Sequence, residues 1–151
     1  MDYAAAHIQH MQKALMQMNL QLHHVVTDIT GVTGMAIIRA IVAGERDPNV
    51  LASHRDRRCH ATVETVSQAL VGNYREEHIF ALTRALELYN VYQTKVAACD
   101  KQIEVILKRL RQTATPPTKK LLPVRQRVRQ PNAPAFDTRG ALHIMVGARA
   151  A

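Results

Sequence analysis

Any covalent or metal chemistry in this chain of 151 residues would have to be assembled from eight histidines, two cysteines, two serines and twelve carboxylates. His7 and His10 lie three apart, His23 and His24 are adjacent, and His54 precedes Cys59 and His60. None of them makes the Cys-x-x-Cys or His-Glu-x-x-His spacing that sets two ligands beside one zinc ion. On heptad helices the first four read more simply as polar-face residues. Ser53 and Ser67 lack the flanking glycines of a nucleophile turn. The carboxylates are scattered, with no paired set for two-metal work, and no Walker or Rossmann glycine loop occurs. Catalysis by the chain on its own is not expected, and no metal or cofactor is implied.

The chemistry that remains is ionic. Arg46, Arg55, Arg57 and Arg58 form the densest group of cations in the patterned part of the chain, and their guanidinium forks suit phosphate oxygens. The competing reading is a solvated loop partly neutralised by Glu45, Asp47 and Asp56. A second group, Lys119, Lys120, Arg125, Arg127 and Arg129, lies further on. Residues 1–111 carry 13 Lys and Arg against 11 Asp and Glu, whereas residues 112–151 carry seven against one. Most of the formal charge of +8 therefore belongs to the end of the chain, and it implies an anionic partner such as nucleic acid. Gly31 and Gly34 before an apolar helix offer backbone N–H groups in the manner of a helix-hairpin-helix phosphate site, though the Gly-x-x-Gly spacing also suits a plain helix-helix connection.

These side chains have to be positioned by helices. Asn73 can cap a helix with Glu76 reaching back in a capping box, and no Pro or Gly follows until well beyond residue 111. With Leu82 at heptad position a, Tyr89, Val96, Ile103 and Leu110 share that position, and Ala85, Tyr92, Cys99 and Ile106 occupy d. Such a seam cannot be buried alone. Ile8, Met11, Leu15, Met18, Leu22, Val25 and Ile29 alternate three and four apart, so residues 4–29 predict a second seam of similar length. The two pair most simply as an antiparallel coiled coil in one chain, with Leu15, Met18 and Leu22 against the long helix. Leu88, Val91, Ala98 and Val105 add a further apolar stripe that a second subunit would cover. Self-association is expected.

Between the seams three short helices are predicted. Gly31 suits the left-handed end of the first long helix, and Thr33 can cap an apolar helix over residues 35–43 that Gly44 stops. Asp47 and Pro48 start the next, and Thr62 caps a third through Leu70, closed by Gly72. Beyond residue 111 the prolines exclude a long helix, and residues 112–151 read as a flexible basic linker. The fold class is all-α, with a helical domain over 1–111 and a disordered basic tail. Two separated cysteines read as reduced thiols, and no leader or membrane segment is apparent, so a cytoplasmic protein is expected.

The runs Met11-Gln12-Lys13-Ala14-Leu15, Asp28-Ile29-Thr30-Gly31-Val32-Thr33-Gly34, Ile38-Arg39-Ala40-Ile41-Val42-Ala43-Gly44-Glu45-Arg46-Asp47-Pro48, Arg55-Asp56, Arg58-Cys59 and Gly72-Asn73-Tyr74-Arg75 occur in that order. Together with Ala85-Leu86-Glu87-Leu88-Tyr89 and Cys99-Asp100, they closely resemble the middle region of DEDD-type insertion-sequence transposases. These are the insertion-sequence one-ten family, relatives of the pilin-gene invertase. Asn132-Ala133-Pro134-Ala135-Phe136-Asp137 resembles that family's lead-in to its C-terminal domain. The resemblance implies a fragment lacking both the RuvC-like Asp-Glu-Asp-Asp domain and the serine domain. It also implies a multimer working on DNA, with structured guide RNA as a further partner. The alternative is a structural coiled-coil dimerisation protein without nucleic-acid binding.

Overall fold

A computed structural model describes residues 2–113, 134 and 136–147. Among them every regular element is a helix: α1 (Asp2–Gln17), α2 (Leu22–Val25), α3 (Val32–Val42), α4 (Pro48–Ser53), α5 (Val63–Ala69), α6 (Glu76–Thr113) and α7 (Thr138–Gly147). The all-α class expected from composition holds. The chain divides into two compact units, Met1–Tyr92 and Gln93–Ala151, so the division falls inside α6.

The first long helix is shorter than its spacing predicts. Helix α1 ends at Gln17, and Asn19 adopts a left-handed backbone with φ 59°. The Asn19 N–H donates to the Met16 carbonyl at 2.9 Å and the Leu20 N–H to the Leu15 carbonyl at 2.9 Å, the paired bonds of a Schellman C-cap. Leu15 and Leu20, which should touch in that motif, are both buried. Asn is one of the few non-glycine residues that tolerate this conformation. The break is then held from outside: the Met18 carbonyl accepts the Asn73 N–H, and the Ala69 carbonyl accepts the Gln21 N–H, each at 2.8 Å. A Cβ on Gly72 would run into the Met18 carbonyl, so only glycine allows this approach. The three-four spacing still marks the buried residues, since Met11, Leu15, Met18, Leu22 and Ile29 are all in the core. It is produced by two helical segments and a turn rather than one rod.

The next connection also differs from expectation. Gly31 is the N-cap of α3 with φ −70° and ψ 176°, an extended conformation, not a left-handed C-cap. Thr33 lies inside α3 and is buried, where its Oγ1 accepts the Asp56 N–H at 3.0 Å. The cap falls two residues earlier because Asp28 organises the turn, its Oδ1 taking the Thr30 N–H at 2.8 Å and the Thr30 hydroxyl at 2.7 Å. A Cβ on Gly34 would overlap the Ile29 backbone. Helix α3 belongs to the core of the first unit, with Ile37, Ile38 and Ile41 wholly buried. As expected, Gly44 stops it, in a left-handed conformation with φ 107°.

Two caps follow their sequence signals: Asp47 accepts the Asn49 N–H with Pro48 at the start of α4, and Thr62 accepts the Thr65 N–H of α5. The third does not. Helix α6 begins at Glu76, with the Ile79 N–H bonded to the Arg75 carbonyl at 3.0 Å, so Asn73 and Glu76 form no capping box. Asn73 is diverted by its bond to Met18, and the Tyr74 hydroxyl donates to the Leu70 carbonyl at 2.7 Å. From Glu76 the helix continues for 38 residues, about 57 Å at 1.5 Å per residue.

No helix was expected beyond residue 111, yet α7 forms in the second unit. Asp137 caps it, its Oδ1 accepting the Gly140 N–H at 3.0 Å and its carbonyl the Ala141 N–H at 3.3 Å. Of the rest of the expected basic linker, residues 114–133, 135 and 148–151 fall outside the described residues.

Candidate functional site

The four clustered arginines have different surroundings. Arg46 sits just past the C-terminus of α3, and its guanidinium donates to the carbonyls of Ile41 at 2.5 Å and Glu45 at 2.6 Å. The Ile41 carbonyl already takes the Gly44 N–H at 3.1 Å, so the cation adds a second bond to it and meets the negative end of the helix dipole. The same guanidinium lies 5.2 Å from the centre of the Tyr74 ring. Burial raises the Tyr74 phenol above its ordinary pKa, with Arg46 pulling it down and Glu45 pushing it up. Arg55 is also turned inward: its Nε donates to the Ala61 carbonyl and its terminal nitrogen to the Cys59 carbonyl at 2.6 Å. It closes the loop between α4 and α5.

Arg57 and Arg58 are exposed. The Arg58 Nε donates to Asp56 Oδ1 at 2.8 Å, and the Arg58 N–H reaches the same oxygen at 2.9 Å. These bonds hold the Asp56 carboxyl below its ordinary range and raise the Arg58 guanidinium. A pair with a side chain 75% exposed is worth little to stability, and Arg58 can exchange Asp56 for another anion at small cost. Lys119, Lys120, Arg125, Arg127 and Arg129 lie outside the described residues.

The residues expected from the sequence to carry oligomerisation also fall into two groups. Leu15, Met18, Leu22 and Leu82 are fully buried within the first unit, and Tyr89 is partly buried against the same core. In the second unit Val96, Ile103, Ile106 and Leu110 are 50%, 47%, 53% and 41% exposed. Leu88 and Val91, on the neighbouring stripe, are 47% and 52% exposed. The helix surface beyond residue 92 therefore carries an apolar stripe facing solvent, on a segment that shows one internal ion pair among the described residues, Glu104 with Lys108 at 2.9 Å.

The histidines assemble no metal centre, and among the described residues no three His, Cys, Asp or Glu side chains are grouped to hold one. The His7 ring lies 5.3 Å from that of Tyr92 and 5.7 Å from that of His10. His7 and His10 border an open groove lined also by Lys13, Ala81, Arg84 and Leu88. Arg84 is paired with Glu87 at 2.9 Å. The Ser53 hydroxyl donates to the Val50 carbonyl of its own helix, and that of Ser67 donates to the Asn49 side chain, tying α5 to α4. Cys59 and Cys99 are free thiols, the first half-buried with its Sγ 3.6 Å from the Val25 carbonyl and the second exposed.

Sequence reasoning missed the inward roles of Arg46 and Arg55. For Arg46 a signal existed, since a cation two residues past a helix-stopping glycine is placed to meet the last carbonyls. For Arg55 none did, because its acceptors depend on how residues 55–61 turn. No described helix is long and apolar enough to cross a membrane. Comparison with protein-family models, with curated proteins and with solved structures finds no match for the chain.

Proposed function

We propose that the chain is the helical middle region of a DEDD-type transposase of the insertion-sequence one-ten kind, acting in subunit assembly and in contact with nucleic acid. The observation that carries the assembly half is the solvent-facing apolar stripe of α6 beyond residue 92, with Val96, Ile103 and Ile106 about half exposed. In this reading α1 lies antiparallel on the first half of α6. The bond between Met18 and Asn73 at one end and the approach of His7 to Tyr92 at the other support that direction. The remaining half of α6 is left for a second subunit.

Nucleic-acid contact rests on Arg57 and Arg58 together with the cations of residues 112–151, and it is directed at the phosphate backbone. DNA is the principal partner, and structured RNA shares the chemistry. With six to eight phosphates neutralised, the slope of log K against log salt on duplex DNA is expected near −5 to −7, at about 0.9 per phosphate. Ending the chain at residue 111 removes seven cations and flattens that slope far more than changing Arg57 and Arg58 to alanine. A parent chain without salt-dependent affinity for DNA or RNA would end the nucleic-acid half. One observation favours a purely structural dimerisation protein: Arg46 and Arg55 spend their guanidinium groups on their own backbone.

A further inference from the structure

The charges flanking the exposed stripe of α6 are arranged so that the stripe complements itself in one orientation. Val96 and Ile103 occupy position a of the heptad reading, and Cys99 and Ile106 occupy d; all four are exposed. Lys95 stands at the g position beside Val96, and Asp100 at the following e position. Among the described residues neither takes part in an ion pair, whereas Glu104 and Lys108 on the outer face pair with each other.

In a parallel, in-register pair of helices a g residue meets the e residue five positions on in the other chain. Lys95 of each copy then faces Asp100 of the other, and two-fold symmetry makes the attraction twice. The antiparallel register that buries the same four residues sets Val96 against Ile106 and Cys99 against Ile103 of the other copy. It also brings Lys95 opposite Arg109 and Asp100 opposite its own symmetry mate, both like-charge contacts. β-Branched residues at a, here Val96 and Ile103, favour a two-stranded parallel coil, although Ile106 at d leans toward higher order.

We propose that α6 beyond residue 92 pairs with the same segment of a second copy of this chain in parallel and in register. The Lys95–Asp100 contacts select the orientation, and the two Cys99 side chains face each other across the axis. This deepens the assembly reading above and rests on it. Facing d residues in such a pair fall within the roughly 4.4–6.8 Å between Cα atoms that a disulfide needs.

The test uses the full chain with Cys59→Ser, so that Cys99 is the only thiol. With oxidised glutathione present, two Cys99 thiols lose two electrons and two protons to form one interchain disulfide, and the oxidant leaves as two molecules of glutathione. A covalent dimer on non-reducing gels, absent in Cys99→Ser, is the expected result. Sedimentation equilibrium under reducing conditions supplies the second readout. Lys95→Glu and Asp100→Lys should each weaken the dimer about fivefold to tenfold, since two exposed pairs turn repulsive, and the double variant should recover it. A dimer that forms no Cys99 disulfide and is tightened or unchanged by Lys95→Glu would overturn the parallel register while leaving assembly intact. A parent chain that stays monomeric at high micromolar concentration would overturn both.

Discussion

Arg55 and Arg57 stand two residues apart in one loop and should respond to alanine in opposite ways. The Arg55 side chain donates from two nitrogens to the carbonyls of Ala61 and Cys59 and is partly buried. A hydrogen bond from a charged group contributes about 1.5–3 kcal/mol where water is excluded. At a half-buried site both bonds fall toward the lower end, because water replaces part of what is lost. Arg55→Ala should then destabilise the first unit by about 2–3 kcal/mol, lowering its thermal midpoint by roughly 10–15 °C for a unit of this size. Arg57→Ala, on an exposed side chain, should stay within about 0.5 kcal/mol of the parent. Circular dichroism at 222 nm gives the midpoints, and amide exchange across residues 55–66 tests whether the loop itself has opened. DNA binding separates the roles further: Arg57→Ala should weaken affinity at unchanged stability. If Arg55→Ala melts with the parent and loses DNA affinity, then Arg55 is a phosphate ligand and its inward bonds are incidental.

The two halves of α6 should also respond differently to truncation. Leu82→Ala, at a fully buried site, should cost about 2–5 kcal/mol in urea unfolding, whereas Ile103→Ala should leave monomer stability within about 0.5 kcal/mol and weaken self-association instead. Asp56 sets an acid dependence whose sign follows from its environment. Its carboxyl is held low first by the Arg58 side-chain bond and then by the Arg58 N–H. A depressed pKa in the folded state gives stability that is present above the ordinary carboxylate value and lost as pH falls through the lowered one. The difference in melting midpoint between the parent and Asp56→Asn should therefore be present at neutral pH and shrink progressively as pH falls below about 4 and through the lowered value.

The class of fold and the starts of α4 and α5 were legible because they depend on local chemistry. Asp47 with Pro48, Thr62 and Gly44 act through atoms a few residues away, and each behaves as its type and position predict. The seam residues of the first unit were legible for another reason, since apolar spacing reports burial whether or not the backbone between stays helical. What the spacing cannot carry is continuity. The break after Gln17 depends on hydrogen bonds from Gln21 to Ala69 and from Asn73 to Met18, joining residues some fifty apart in sequence. The same long-range bond takes Asn73 away from its capping role and delays α6 to Glu76. One tertiary contact thus accounts for two departures from local reading. The inward turn of Arg55 is of the same kind, fixed by where the Cys59 and Ala61 carbonyls come to rest.

Breaking the first seam has a consequence for the second. Helix α1 has 16 residues, about 24 Å of axis, against about 57 Å for α6. Had residues 4–29 formed one rod, it would have reached far enough to cover most of the α6 seam within the chain. With α1 ending at Gln17, burial on α6 follows its first half: Leu82, Ala85 and Leu86 are buried, and Val96, Ile103 and Ile106 are not. A helical segment of some twenty residues is marginal in water on propensity alone, and an ion pair such as Glu104 with Lys108 adds only about 0.2–0.5 kcal/mol. In the proposed assembly the order of residues 93–113 is tied to covering their stripe, and helix formation there and association would be two sides of one equilibrium. A polar sequence would serve if the segment were only a spacer. Valine and isoleucine at heptad spacing, flanked by Lys95 and Asp100, are what the proposed pairing of the helix with another like itself would use.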